Sequence, residues 1–210
     1  MPSKTHRVGV ATAPQATGST RDRLLIATMH LLARQGLAGT GVKQILERAD
    51  AQFSSLYHHF PGGKDELAAE ALRTAGVLYQ GLVESVWDEA DDLVHSIRAV
   101  FNGAAQALVD SDYEDVCPIG TVAMEVASSN EVLRQATAEI YEMWVASAQG
   151  RIREAGISVR QAKKLALSII TLLEGAFVLC RATRSPDAML VSGEMAVRMV
   201  QNSLRPTRSR

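Results

Sequence analysis

Apolar positions recur along this chain at the spacing of α-helices, and no stretch alternates with the period of two expected of a half-buried strand. Leu24, Thr28 and Leu31 fall at i, i+4 and i+7 with Leu25 and Leu32 beside them, predicting a helix over 20–35 that Gly36 stops. A short helix with Val42, Ile45, Leu46 and Ala49 follows, for which Thr40 is the expected cap. After a turn comes a third helix over about 52–60, ended by Pro61-Gly62-Gly63, and a long helix starts near Lys64. Beyond it the pattern predicts a helix over 91–109, an acidic loop, a short helix over 119–127, and a long one from Ser129 or Asn130 to Glu154. Ser158 and Gln161 form a capping box for a helix reaching Thr183, and Ser185-Pro186 opens a last helix ending near Leu204. The fold class is therefore all-α, about nine helices, in a three-helix head and a larger bundle. The expected boundaries are a disordered tail over 1–18, rich in Pro, Gly, Ser, Thr and Ala, a head over 19–65 and a body over 66–210.

Composition supports this division. The hydrophobic residues are mostly Ala, Leu and Val, a helix-favouring mixture. Net charge is −1, yet residues 1–75 hold 9 Lys and Arg against 6 Asp and Glu, while the remainder holds 13 against 17. A basic head on an acidic body suits a head that meets a polyanion. Cys117 and Cys180 stand apart without a CxxC pair, as expected of reduced thiols. The first 18 residues lack the apolar core of a signal peptide. The run Leu165–Cys180 is short for a bilayer and carries Glu174. A soluble cytoplasmic protein without membrane contact is expected.

The segment Thr40–Lys64 carries the chemistry. On a wheel of the third helix, Phe53, Leu56 and Phe60 share one side, while Ser54, Ser55, His58 and His59 take the other and Tyr57 lies between. Short polar side chains let such a helix approach base edges in the DNA major groove. Lys43 and Lys64, each in a first helical turn, flank it as phosphate contacts. A merely solvated face is the competing reading of the same polar residues. The tempting alternatives fail: Pro61-Gly62-Gly63-Lys64 lacks the spacing and the Ser or Thr of a nucleotide loop. His58 and His59 are adjacent and diverge by about 100° on a helix, so they cannot share a metal. No catalytic triad or carboxylate dyad is evident, and neither enzyme activity, metal nor cofactor is expected.

Leu56-Tyr57-His58-His59-Phe60 followed by Lys64 resembles the helix-turn-helix of the TetR family of bacterial transcriptional regulators. Pro61-Gly62-Gly63-Lys64, Cys117-Pro118-Ile119-Gly120 and Glu174-Gly175 resemble its lincomycin-resistance-regulator branch. There are departures. Asp50 stands where the turn usually has glycine, Lys64 comes one residue later than usual, and Phe53 replaces a commonly polar residue. Packing is the favoured role for Phe53, with contact to a thymine methyl as the other. The resemblance implies phosphate contacts from Lys43, Tyr57 and Lys64, base readout from Gln52, Ser54, Ser55 and His58, and an auxiliary phosphate contact from Thr40. It also implies a ligand-responsive repressor, a homodimer through the last two helices, and release from a palindromic double-stranded DNA operator by a hydrophobic or aromatic inducer. Phe101, Cys117, Met124, Tyr141, Trp144, Glu174 and Phe177 are expected to line the inducer pocket, although such residues are more often core. Glu174 within an apolar run must pair, with Arg181 for example, or orient a ligand. The other class of function kept open is a small-molecule-binding protein or enzyme with a non-functional head.

Overall fold

A computed structural model describes residues 18–204, and among these the chain forms helices and no strand. The order is α1 (Thr20–Gly39), α2 (Val42–Ala49), α3 (Phe53–His59), α4 (Gly63–Glu89), α5 (Leu93–Asp110), α6 (Pro118–Val126), α7 (Glu131–Glu154), α8 (Val159–Thr183) and α9 (Asp187–Leu204). Except for Gly18, the tail expected over 1–18 lies outside the described residues.

Local signals start these helices. Ser19 and Asp22 exchange bonds in a capping box at α1, and Asp92, Asn130 and Ser158 each accept a backbone N–H at their helix starts. The regular part of α1 ends at Gly36, whose φ of +68° reverses the chain. A side chain at Gly36 would also run into the Glu125 carboxylate of α6, so glycine is required twice over. Thr40 does not cap α2 as expected. Its buried hydroxyl donates to the Gly36 carbonyl at 2.6 Å, while Gly41 occupies the cap position and its N–H donates to the Gln44 side chain.

Leu24, Leu25, Ile45, Leu56, Phe60, Leu67 and Ala71 form the head's core. Each large apolar side chain sealed there contributes about 1.5–3 kcal/mol. Because Leu67 and Ala71 belong to α4, the head's core extends past residue 65 and α4 joins head to body as one continuous helix. The body packs α5 against α9, α7 against α4 and α8, and α8 against α9. One cluster centres on Phe101, Ile152, Leu165 and Val197; another, around Ile119, Val122, Leu133 and Ile140, sits beneath the head. α8 spans 25 residues, longer than the apolar run suggested, and has the length and composition to cross a membrane. One side of it is nevertheless sealed within the body by Leu165, Ala166, Ile169, Ala176 and Cys180.

Candidate DNA-binding interface and body pocket

The head presents α3 by sinking one side of it. Leu56 and Phe60 are fully buried, whereas Gln52, Ser54, Tyr57 and His58 are exposed and Ser55 and His59 half-buried. The turn before α3 is left-handed at Asp50 (φ 46°, ψ 57°), the conformation glycine usually supplies and aspartate tolerates. Arg23 of α1 locks that turn: its Nε donates to the Ala49 carbonyl at 2.8 Å and its Nη2 to the Asp50 carbonyl at 3.1 Å. No periodic signal pointed to Arg23, since its role depends on α1 crossing the end of α2.

Phe53 differs from expectation. Instead of sealing the core it is 61% exposed, its ring tilted against Tyr57 at a centroid distance of 5.2 Å. The wheel placed it with Leu56 and Phe60, but α3 begins only at Phe53, where the chain has just left the α2 turn, and the core is already filled by Ile45 and Ala49. Lys43 stands well out in solvent, 3.7 Å from Glu47 on its own helix. Lys64 instead reaches back across the head, its Nζ donating to the Leu37 carbonyl at 2.8 Å. Thr40, fully buried, has no surface on which to meet a phosphate.

The α1–α2 corner is also held from the body. Both oxygens of Glu125 in α6 accept backbone N–H groups, from Leu37 at 3.2 Å and Ala38 at 2.9 Å. Arg181 of α8 donates to the Arg34 carbonyl at 2.6 Å, and Arg34 pairs with Asp115 at 2.8 Å. Arg181 is thus committed to α1 and is not the partner of Glu174, one of the two roles the sequence left open for that carboxylate.

Further into the body, the two short motifs noted in the sequence meet. Gly120 of α6 lies directly against the Glu174 carboxylate of α8, and a side chain at 120 would displace that carboxylate. Around Glu174 stand the Cys117 thiol and the Tyr141 hydroxyl. Burial pushes the Glu174 carboxyl up to about 7, with the bonds from Cys117 and Tyr141 opposing the shift in part. Burial likewise raises the Cys117 thiol and the Tyr141 hydroxyl, and the nearby Glu174 charge adds to both. A thiol held protonated in this way is a packing and hydrogen-bonding group rather than a reactive one. Tyr79 of α4 joins the set: its hydroxyl is raised by burial and by Cys117, Asp115 and Glu174. Tyr79 escaped the sequence reading because nothing local distinguishes it from other half-buried aromatics.

The remaining expected pocket residues divide. Trp144 packs edge-on against Tyr141 at 5.7 Å and donates its indole N–H to the Gly76 carbonyl at 2.9 Å. Phe177 bridges the two body clusters. Phe101 is sealed in the α5–α9 core, where Gly193 admits it. Met124 is 77% exposed on the outer side of α6 and lines no interior space. Its sequence neighbours Val122 and Val126 take the buried side of that helix instead.

Comparison with known proteins agrees with this geometry. Residues 24–71 match the description "Bacterial regulatory proteins, tetR family", and residues 94–195 match "Transcriptional regulator LmrA/YxaF-like, C-terminal domain". The chain is 30% identical over 174 residues to the HTH-type transcriptional regulator LmrA of Bacillus subtilis, covering 82% of this chain and 92% of that one. It is 29% identical over 177 residues to the regulator YxaF of the same organism, covering 84% and 93%. The regulatory protein TetR from Rhodobacter sphaeroides shares the fold with a TM-score of 0.77 at 19% identity, over 86% of this chain and 98% of that one. The regulator CifR, solved with a 26-base-pair operator duplex, shares it with a TM-score of 0.73 at 19% identity over 89% and 98%. The chain thus belongs to the TetR family of transcriptional regulators, in the LmrA/YxaF-like branch, and is a DNA-binding regulator rather than an enzyme.

Proposed function

We propose that the chain is a ligand-responsive repressor that binds a palindromic operator as a homodimer and leaves it when a small hydrophobic or aromatic molecule enters the body. One observation carries the DNA half of this reading. Within the seven residues of α3, Leu56 is sunk in the head's core while Ser54, Tyr57 and His58 stand in solvent, and Lys43 of α2 reaches into solvent 3.7 Å from Glu47. An α-helix presented in this way fits the major groove, its short polar side chains meeting base edges and the flanking groups meeting phosphates. Lys43 and Tyr57 then position the head on the backbone, and Gln52, Ser54, Ser55 and His58 read bases. Lys64 first braces the α1–α2 corner through Leu37. Its contribution to phosphate binding requires that bond to be exchanged.

Two heads need pairing, because specific binding uses half-sites about 34 Å apart or a multiple of it. α8 and α9 leave Leu167, Val178, Leu179, Leu190, Val191 and Met195 in water, and Gly175 lies on the same exposed side with open space where a side chain would stand. An apolar surface shared by two adjacent helices supports burial against a second copy. This also accounts for the apolar character of α8 without a membrane, in a regulator that acts in the cytoplasm.

The inducer site is centred on Glu174, Cys117, Tyr141, Trp144 and Phe177, with Tyr79 added. α6 links it to the head: Cys117 just before its start and Gly120 in its first turn stand at the site, and its far end carries Glu125 on the α1 corner. A ligand that prefers one position of α6 shifts the spacing of the two heads by population shift. The test is a gel shift with the DNA upstream of the chain's own gene. A salt-sensitive shift that a small molecule reverses supports the reading, and its absence at every protein concentration defeats it.

A further inference from the structure

Resting on the reading of α3 as the DNA-contacting helix, we propose that Phe53 reads the C5-methyl group of a thymine in each half-site. The residue opens α3, the part of such a helix that meets base edges. It is the most exposed phenylalanine in the described residues at 61%, whereas Phe60 and Phe101 are sealed in cores. The head supplies no apolar partner that covers it: its ring borders an open hollow between α2 and α3 lined by Val42, Leu46 and Ala51 and by the charged Lys43, Glu47 and Asp50. Tyr57, one turn along, holds the ring in a tilted contact at 5.2 Å, so the side chain is already positioned before DNA arrives. Ser54 and His58, both exposed, follow round the helix beyond Tyr57.

The chemistry follows from what the major groove offers. Three of the four bases present only hydrogen-bonding atoms on that edge, and thymine alone adds a methyl group. A phenyl ring cannot answer a donor or an acceptor, and covering one would leave it unpaired. Against a methyl, the ring recovers apolar burial that the free protein forgoes. Phe53 therefore favours thymine over cytosine, which has no methyl group at that edge.

The experiment begins with operators selected from random duplex DNA by the full-length chain. Each thymine of the selected site is then replaced singly by deoxyuridine, which removes the methyl and leaves every hydrogen-bonding atom in place. The wild-type chain should lose roughly fourfold in affinity at one thymine per half-site, the worth of one buried methyl. Phe53→Ala should bind the thymine and deoxyuridine forms equally, and Ser55→Ala should retain the wild-type difference. Because the ring is exposed, Phe53→Ala should melt within about a degree of wild type, which separates readout from folding. A flat deoxyuridine scan in the wild type, or an undiminished penalty in Phe53→Ala, would overturn the inference while leaving DNA binding intact. A selection that enriches no sequence would overturn the DNA reading and this inference with it.

Discussion

Replacing Glu174 by glutamine should make this protein more stable, increasingly so as pH rises from 5 towards 8. The carboxyl lies among Gly120, Cys117 and Tyr141, and burial raises it from the ordinary 4.5 to about 7. The sign follows from proton linkage. Below pH 4.5 the folded and unfolded chains both carry the proton. Between 4.5 and 7 the unfolded chain releases it while the folded one keeps it, so stability falls as pH rises. Above 7 both are ionised and the full penalty applies. A shift of this size corresponds to about 3 kcal/mol at pH 8 and less than about 1 kcal/mol at pH 5, because each unit is worth about 1.4 kcal/mol. Glutamine resembles the protonated acid, so Glu174→Gln should recover about that amount. For a chain of this length each kcal/mol moves the melting temperature by about 2–4 °C, giving a gain of roughly 5–10 °C at pH 8 beyond any gain at pH 5. Cys117, Tyr79 and Tyr141 are pushed upward and stay neutral through this window, so they do not mask the effect. The assay is thermal unfolding followed by circular dichroism at both pH values and one protein concentration, since association also raises the midpoint. Equal differences at pH 5 and pH 8, or a loss at pH 8, would refute the reasoning. The prediction bears on function, because strongly shifted carboxyls cluster at binding sites, which is the role proposed for Glu174.

Five further variants have expected outcomes. Glu125→Ala should cost about 1–2 kcal/mol through the loss of two bonds to a charged acceptor and lower the melting temperature by roughly 2–8 °C. Unchanged hydrogen exchange at the Leu37 and Ala38 amides would count against this. Lys43→Ala should weaken binding to all DNA alike and reduce the salt slope by about one unit, whereas His58→Ala should change sequence preference; Lys64→Ala should also lower the melting temperature because it loses the Leu37 bond. Val191→Glu, on the exposed apolar side of α9, should yield a folded monomer by sedimentation, and a persistent dimer would place the interface elsewhere.

Much of the head was legible because its signals are local. The stop at Gly36, the tolerated left-handed turn at Asp50, and the break at Pro61-Gly62-Gly63 follow from backbone sterics within a few residues. The misreadings arose where tertiary contacts decide. Thr40 has the chemistry of a cap, but the Gly36 reversal buries it and turns its hydroxyl toward α1. Phe53 fits the packing side on an ideal wheel, but the wheel does not show that the core is full before α3 begins. In the body, periodicity separated helices but not their neighbours: Met124 and Val122 share a short apolar helix, and only its packing shows which faces inward. Arg181 is close enough to Glu174 in sequence to suggest a pair, yet α8 carries it to the carbonyl of Arg34. The meeting of Gly120 with Glu174 joins motifs over fifty residues apart, which sequence spacing alone cannot reveal.

The central claim, that α3 of a paired head recognises DNA, is tested most directly by titrating a selected operator duplex with the full-length chain. Fluorescence anisotropy over a range of salt concentrations gives both affinity and stoichiometry. The account predicts at least two chains per operator, affinity falling steeply and log-linearly with salt, and at least a thousandfold preference over scrambled DNA. Equal affinity for operator and scrambled duplexes, or operator binding that is indifferent to changes at Ser55 and His58, would contradict it.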